Sequence, residues 1–298
     1  MDISIKPGRY VIAVSGGVDS MVLLDLLHRQ PGVELIVVHL DHGIRPDAAL
    51  DRKLVQSTAL LHGLPFVYKE AQLGAHASEA DARTIRYDFL HEVQRRYQAK
   101  AIITAHHRDD VLETALLNVL RGTGRKGLSS LQSSPGVVRP LLAVSKSEIL
   151  EYARQYHLQW REDSTNQDDR YARNYIRHNF VTRLSAAQAK QLLSHIHKAG
   201  QLNTEIDGLL LTVLGEHTTT EGLDRRWFTQ LPYAVAAEVI AAWLRDNGVR
   251  EFSRKLVNQL VVTAKTAQPD KLADVDAEHA LHIRKSTISL EHRKNLSR

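Results

Sequence analysis

Short β-branched apolar runs alternate with stretches of helical period along the first part of the chain. Residues 10–14 (YVIAV) and 34–40 (ELIVVHL) predict buried strands, 65–70 a third, weaker one, 101–105 (AIITA) a fourth, and 137–142 (VVRPLL) a short fifth. Helical periodicity lies between them. It runs through MVLLDLLHRQ to Pro31 and Gly32, over residues 48–62, and from Ser78, a good N-cap, to about Tyr97. It returns in HHRDDVLETALLNVLRGTG, stopped by Gly122 and Gly124. Ser145-Lys-Ser-Glu148 is a capping box that opens a further helix to about His157. This alternation predicts a doubly wound α/β domain, a parallel five-stranded sheet with helices on both faces.

Beyond Arg170 the strand signal fades. Residues 1–184 are expected to form the first domain and 185–215 a helical connector. Residues 216–298 are expected to form a smaller, mostly helical, substrate-binding domain. Its helices follow Pro232 and span 253–267, with short strands near Leu272, 281–284 and 287–291.

Composition narrows the classes. With 43% hydrophobic and 24% charged residues the chain is ordinary for a soluble globular protein. Its most apolar run, 234–244, is broken by Glu238 and is too short to span a bilayer. MDISIKPGRY lacks the apolar core of a secretory signal, so a cytoplasmic location and no membrane partner are expected. The absence of cysteine excludes disulfides, thiolate nucleophiles and Cys-ligated metal in this chain. Net charge is +5, with 24 Lys+Arg against 21 Asp+Glu over 1–184 and 15 against 13 over 185–298, so a nucleic-acid footprint must come from local clusters.

The first strand runs straight into Ser15-Gly-Gly-Val-Asp-Ser20 and then a helix. Two glycines let a ligand approach the backbone. The first amides of the helix have no intrahelical acceptor and suit phosphate. Ser15, Gly16, Gly17, Val18, Asp19 and Ser20 are therefore the candidate phosphate-binding residues, and the ATP-binding ones on the resemblance given next. Asp19 would repel bare phosphate, which marks it as a ligand for a bridging cation such as Mg²⁺. GxxxxGK[ST] and GxGxxG are both absent. The stretch resembles the PP-loop of ATP pyrophosphatases, which cut ATP between the α and β phosphates to adenylate a substrate.

Ligands of an open parallel sheet sit beyond the carboxyl ends of its strands. Asp41 lies there after the second strand; His106, His107, Asp110 and Glu113 lie there after the fourth. Asp110 and Glu113 share a helix face at i, i+3. Carboxylates and imidazoles at one strand mouth suit a metal, an amine or a proton transfer, so Asp41, His106, Asp110 and Glu113 are the catalytic candidates. Basic residues cluster at Arg121, Arg125 and Lys126, and again over 170–183, which has four Arg, two Tyr and no acid. Arg173 and Arg177 share one face of that stretch, which suits RNA phosphates and stacked bases.

In order along the chain, SGGVDS, HLDHGIR, ARTIRYDFL, TAHHRDDVLET, RGTGRKGL, RPLL, EDSTN and RNYIR resemble the tRNA(Ile)-lysidine synthetase family over about 15–180. The resemblance implies a PP-loop fold of the adenine nucleotide alpha hydrolase-like kind. It also implies an activity that converts the wobble cytidine of an isoleucine tRNA to lysidine, using ATP, Mg²⁺ and free L-lysine. Larger members of the family carry a further C-terminal domain. With that chemistry, Asp41, Asp110 and Glu113 are the acids available to the lysine ammonium. Arg83 and Arg86 are candidates for its carboxylate or for developing phosphate charge. Arg121, Arg125, Lys126, Arg173 and Arg177 are the candidate tRNA contacts. A homodimer is an allowed assembly. The competing readings are another PP-loop adenylating or amide-forming ligase, and a catalytically silent RNA-binding protein.

Overall fold

The structure is a computed structural model that describes residues 1, 3–41, 43, 48–71, 79–131, 136–162, 172–249 and 252–293. His42 and Arg45, the Ser78 cap, residues 163–166 of EDSTN, and Arg170 lie outside the described residues. The chain forms two compact units, residues 1–122 with 127–196, and residues 123–126 with 197–298.

The first unit holds β1 (Gly8–Ala13), β2 (Val33–Asp41), β3 (Phe66–Glu70), β4 (Ala101–Ile103) and β5 (Val137–Val138). They pair in parallel in the order β3-β2-β1-β4-β5. The helices are α1 (Val18–His28), α2 (Ala48–Leu61), α3 (Glu79–Arg96), α4 (Arg108–Leu120), α6 (Lys146–Gln155) and α7 (Ala172–Asn179), with the short α5 (Arg125–Leu128) spanning the division between the units. The period of two along the strands sorts their side chains. Tyr10, Ile12, Leu35, Val37 and Ile103 face a core shared with α1, α2 and α6, through Leu24, Val55 and Ile149 among others. Val11, Ile36, Val38 and Ile102 face the other layer, with Phe89, Leu90 and Val93 of α3. Both layers are apolar, which is why these strands read as continuous hydrophobic runs. Leu112 and Ala115 of α4, Ile176 of α7 and Ile196 form a smaller cluster. The fifth strand is shorter than 137–142, because Pro140 has no N–H for the ladder and the chain turns there.

The long α8 (Ala186–His217) is one helix of 32 residues, and the division between the units falls within it. The second unit is rich in helix, as its sequence suggested, but it also holds a complete sheet. Besides α9 (Arg225–Gln230), α10 (Tyr233–Asp246) and α11 (Arg254–Thr266), it contains a five-stranded antiparallel sheet. Its strands, β6 (Thr218–Thr219), β7 (Gly222–Asp224), β8 (Lys271–Asp274), β9 (His279–Ile283) and β10 (Thr287–His292), run in the order β6-β7-β10-β9-β8. The last three coincide with the expected short strands; the β6–β7 hairpin is too short to show a period. Its core joins Trp243, Phe228 and Leu260 to Leu281, Ile283 and Ile288 of the sheet. Buried Arg225 ties helix to sheet by donating to the carbonyls of Ala264, Ala267 and Arg284.

Gly222 closes the hairpin at φ +127°, and a Cβ there would run into the Ile288 carbonyl oxygen. Gly222→Ala is therefore expected to destabilise this unit by about 2–4 kcal/mol. Urea unfolding followed by tryptophan fluorescence checks it, since Trp227 and Trp243 both lie in this unit. An unchanged midpoint would refute the clash.

Candidate active site

Strand order reverses at β1. The chain moves from β1 outward to β2 and β3, then crosses to β4 on the other side. The loops leaving β1 and β4 therefore diverge and open a crevice at the carboxyl ends, where such sheets bind ligands. The loop after β1 is Ser15–Ser20, and the segment after β4 carries His106, His107, Asp110 and Glu113.

The β1 loop is held by its own hydroxyls. Buried Ser20 accepts from the Ser15 amide at 3.1 Å and donates to the Gly17 carbonyl at 2.9 Å. The Gly17 amide donates to Ser15 Oγ at 3.3 Å. Gly16 sits at φ +94°, which glycine adopts freely. Gly17 is the N-cap of α1 and supplies no side-chain acceptor, so the first-turn amides around Val18 and Asp19 are left for a ligand. Two braces hold the loop from behind. The Arg161 amide donates to the Gly16 carbonyl at 3.0 Å, and its guanidinium meets buried Asp51 of α2 at 2.7 Å. His39 Nδ1 sits 2.8 Å from the Val14 carbonyl oxygen, which can only accept, so Nδ1 is the donor; burial pushes the imidazole pKa below its usual value.

Asp19 already has a cation. Lys146 Nζ, at the first turn of α6, reaches its two carboxylate oxygens at 2.7 and 2.8 Å. The Lys146 amide is 3.4 Å from Asp109 Oδ2. The Ser145–Glu148 capping box starts α6 as the sequence indicated, and it thereby sets Lys146 at the mouth. His107 Nε2 lies 3.8 Å from Asp19 and 3.6 Å from Asp110.

Asp110 and Glu113 share one face of α4, with different partners. Asp110 closes a capping box with His107, accepting from its amide at 2.9 Å. Glu113 is fully buried and grips Arg177 of α7 bidentately at 2.6 and 2.9 Å. Burial pushes the Glu113 carboxyl above the usual range while the Arg177 guanidinium opposes it. Arg177 also stands 3.6 Å from Asp110. Both Glu113 oxygens thus already accept from Arg177, and Arg177 is already neutralised by acids inside the site.

His106 is half-buried, with Nδ1 at 2.9 Å from the Thr104 hydroxyl. Burial pushes its pKa down to about 4; Asp110 opposes this, and the charges of Arg139, Arg83 and Arg173 add to it. Arg83 and Arg173 therefore act electrostatically at the β4 mouth. Arg83 also stacks over the Tyr87 ring at 4.8 Å, and Arg86 is half-buried on the same helix. Asp41 turns its Oδ1 onto the Gly43 amide at 2.8 Å.

Arg121 is exposed at the C-cap of α4. Arg125 and Lys126 are engaged within the second unit. Arg125 pairs with Glu238 at 2.8 Å and also binds Asp207 and Asn203; Lys126 pairs with Asp207 at 2.7 Å. Arg125 is thus already paired with two acids of its own unit.

Among the described residues, Asp25, His28 and His62 bring three possible metal ligands together, at the other end of α1 from the loop. Asp25 there accepts from Arg29 and from Tyr152, and the two imidazoles stack at 3.8 Å, so the trio reads as a hydrogen-bonded packing cluster. An open pocket of about 650 Å³, lined by Leu50, Leu54, Trp160 and Arg161, touches none of the acids at the β4 mouth.

Comparison with known proteins fits this geometry. A family model described as the PP-loop domain matches residues 3–184. The chain belongs to the PP-loop family. ATP binding follows from that membership. A tRNA(Ile)-lysidine synthase of Thermus thermophilus is 46% identical over 174 residues, 56% of this chain and 34% of that protein. One of Lactiplantibacillus plantarum is 33% identical over 275 residues, 87% of this chain and 61% of that protein. This chain thus spans between a third and three fifths of the length of these curated relatives. Among solved structures, the U34-tRNA thiolase NcsA of Methanococcus maripaludis, with its 4Fe–4S cluster, aligns at a TM-score of 0.54 and 17% identity, covering 65% of this chain and 73% of that one. That likeness shows the PP-loop fold. No helix among the described residues is long and apolar enough to cross a membrane.

Sequence reading missed Lys146, Asp51 and Arg161. Lys146 was visible only as part of a helix start, because nothing in its neighbours points to a loop 127 residues away.

The His106 shift has a pH signature. Its folded pKa lies below the ordinary value of 6.5, so the folded state excludes a proton that the unfolded chain takes up. The stability it contributes is full above 6.5 and is lost as pH falls through about 4. Relative to His106→Asn, the wild type is expected to lose about 3 kcal/mol over that window, by urea unfolding. Parallel curves for the two proteins would refute a neutral His106.

Proposed function

We propose that the chain ligates free L-lysine to carbon 2 of the wobble cytidine of an isoleucine tRNA. The observation that carries this is the crevice itself: a PP-loop faces an acid–guanidinium cluster across the strand-order reversal, in a chain whose curated relatives are named tRNA(Ile)-lysidine synthases. The cytidine O2 attacks the α-phosphorus of ATP, and pyrophosphate leaves with the bonding pair. The lysine ammonium, whose free pKa is ~10.4, then gives up a proton to the Asp110 carboxylate and from there to solvent. Its amine forms the C2–N bond as the C2–O bond breaks and AMP departs.

The residues have matching tasks. The amides and hydroxyls of 15–20 bind phosphate oxygens. Asp19 already holds a cation, and a single carboxylate beside phosphate oxygens is the donor set Mg²⁺ usually takes from a protein. Mg²⁺, when bound, neutralises phosphate charge. Asp110, half committed to its cap, is the acceptor proposed for the lysine ammonium, and Glu113 balances Arg177 next to it. His106 stays neutral at physiological pH, so it adds no positive charge that would repel the ammonium. Arg83, Arg86 and Arg173 supply the positive field proposed for the lysine carboxylate and the tRNA phosphates. Asp41 stands at the β2 end as a polar contact to the nucleotide.

Mass analysis of the wobble nucleoside, after incubation of the full chain with tRNA, ATP and lysine, is expected to show lysidine. Pyrophosphate release without a modified nucleoside would refute the lysine step and favour another adenylating ligase.

Asp110→Asn keeps a cap acceptor but removes the charge. It is expected to raise the lysine requirement on the order of tenfold to a hundredfold, the worth of one charge-assisted hydrogen bond, and to leave the ATP requirement nearly unchanged. Titrating each substrate in turn reads the difference. A shift in the ATP and Mg²⁺ dependence with lysine unaffected would assign Asp110 to the metal.

A further inference from the structure

The common P-loop carries its phosphate-binding lysine inside the motif. Ser15–Ser20 has none, and its only charge is the negative one of Asp19. A polyphosphate arriving there meets a carboxylate and needs a compensating cation from elsewhere in the fold. Lys146 is placed to be that cation. Its Nζ bridges both Asp19 oxygens, and both partners are partly exposed, Lys146 by 38% and Asp19 by 29%. An ammonium has three N–H donors, and the bridge uses two.

Lys146 is also held rigidly enough to act from there. It follows the N-cap Ser145, its amide faces Asp109, and α6 is tied to α1 by the Tyr152–Asp25 hydrogen bond at 2.9 Å. The PP-loop helix and the helix bearing the lysine therefore keep a common frame.

Given nucleotide binding at the PP-loop, as proposed above, we infer that Lys146 is the phosphate-binding cation of this site. It neutralises Asp19 while the loop is empty, and exchanges onto the phosphate chain when nucleotide binds. That exchange frees the Asp19 carboxylate for the metal that accompanies the nucleotide. Charge grows on the pyrophosphate as the α–β bond breaks, so an ammonium there serves departure as well as binding. Arginine preserves the charge at this position, whereas methionine keeps only the length.

Isothermal titration of the full chain with ATP and with inorganic pyrophosphate, each with and without Mg²⁺, tests the exchange. Lys146→Met is expected to bind metal-free pyrophosphate on the order of tenfold to a hundredfold more weakly than wild type, and Lys146→Arg within about threefold of it. Asp19→Asn releases Lys146 from its partner. It is expected to bind metal-free pyrophosphate more tightly, by about threefold to tenfold, while losing the gain that Mg²⁺ gives the wild type. A merely structural Lys146–Asp19 bridge would weaken binding in both variants alike. Wild-type pyrophosphate affinity in Lys146→Met, or no tightening in Asp19→Asn, would overturn the assignment of Lys146 and leave ATP binding standing. A wild-type chain that binds neither ATP nor pyrophosphate would overturn the PP-loop reading, and this inference with it. If Lys146→Met fails to fold, Asp19→Asn decides the question, because it alters no loop backbone and no lysine.

Discussion

The site depends on one topological constraint, the reversal of strand order at β1. Parallel strands put all their carboxyl ends on one edge of the sheet, and the reversal drives the β1 and β4 loops apart there. A crevice results without any side chain having to create it. What the side chains do is fill it with charge: Asp19, Lys146, His107, Asp110, Glu113 and Arg177 come from α1, α4, α6 and α7. The apolar layer on one face of the sheet holds α1 and α6, and a separate apolar cluster holds α4 against α7, so the charged groups are positioned by cores they take no part in.

The parts of this arrangement legible in the sequence are those encoded locally. Five β-branched runs gave the parallel sheet, and Ser145–Glu148 gave a helix start confirmed by its hydrogen bonds. The loop motif and the i, i+3 acids identified the two sides of the crevice. Pairing across long separations was not legible. Glu113 and Arg177 each read as a substrate contact, yet they are 64 residues apart and bonded to each other. Arg125 lies in a glycine-rich basic loop that reads as a phosphate contact, but Asp207 and Glu238 claim it. A single sequence shows which residues carry charge and leaves open which charges neutralise one another. The β6–β7 hairpin was missed for a different reason: two and three residues carry no measurable period, and only the pairing of β6 with β7 and of β7 with β10 defines them as strands.

Burial explains why the charges are paired as they are. An isolated charge in a buried position is destabilising by several kcal/mol, so a site made to bind ionic substrates is safest when its own charges compensate one another while it is empty. Glu113 is fully buried, and Arg177 satisfies both of its oxygens. Asp19 is partly exposed, and Lys146 satisfies it. The two pairs differ in what they permit. The Glu113–Arg177 pair is bidentate with its acid sealed from water, so separating it would strand a carboxylate. The Lys146–Asp19 pair lies nearer to solvent and joins a flexible four-carbon stem to a half-exposed acid, so its partners exchange at low cost. The inner pair therefore fixes α7 against α4 and sets the field at the β4 mouth, and the outer pair is the one able to trade partners with an incoming phosphate. On the assignment proposed for Lys146, the outer pair is the one that opens when nucleotide binds and the inner pair the one that is retained.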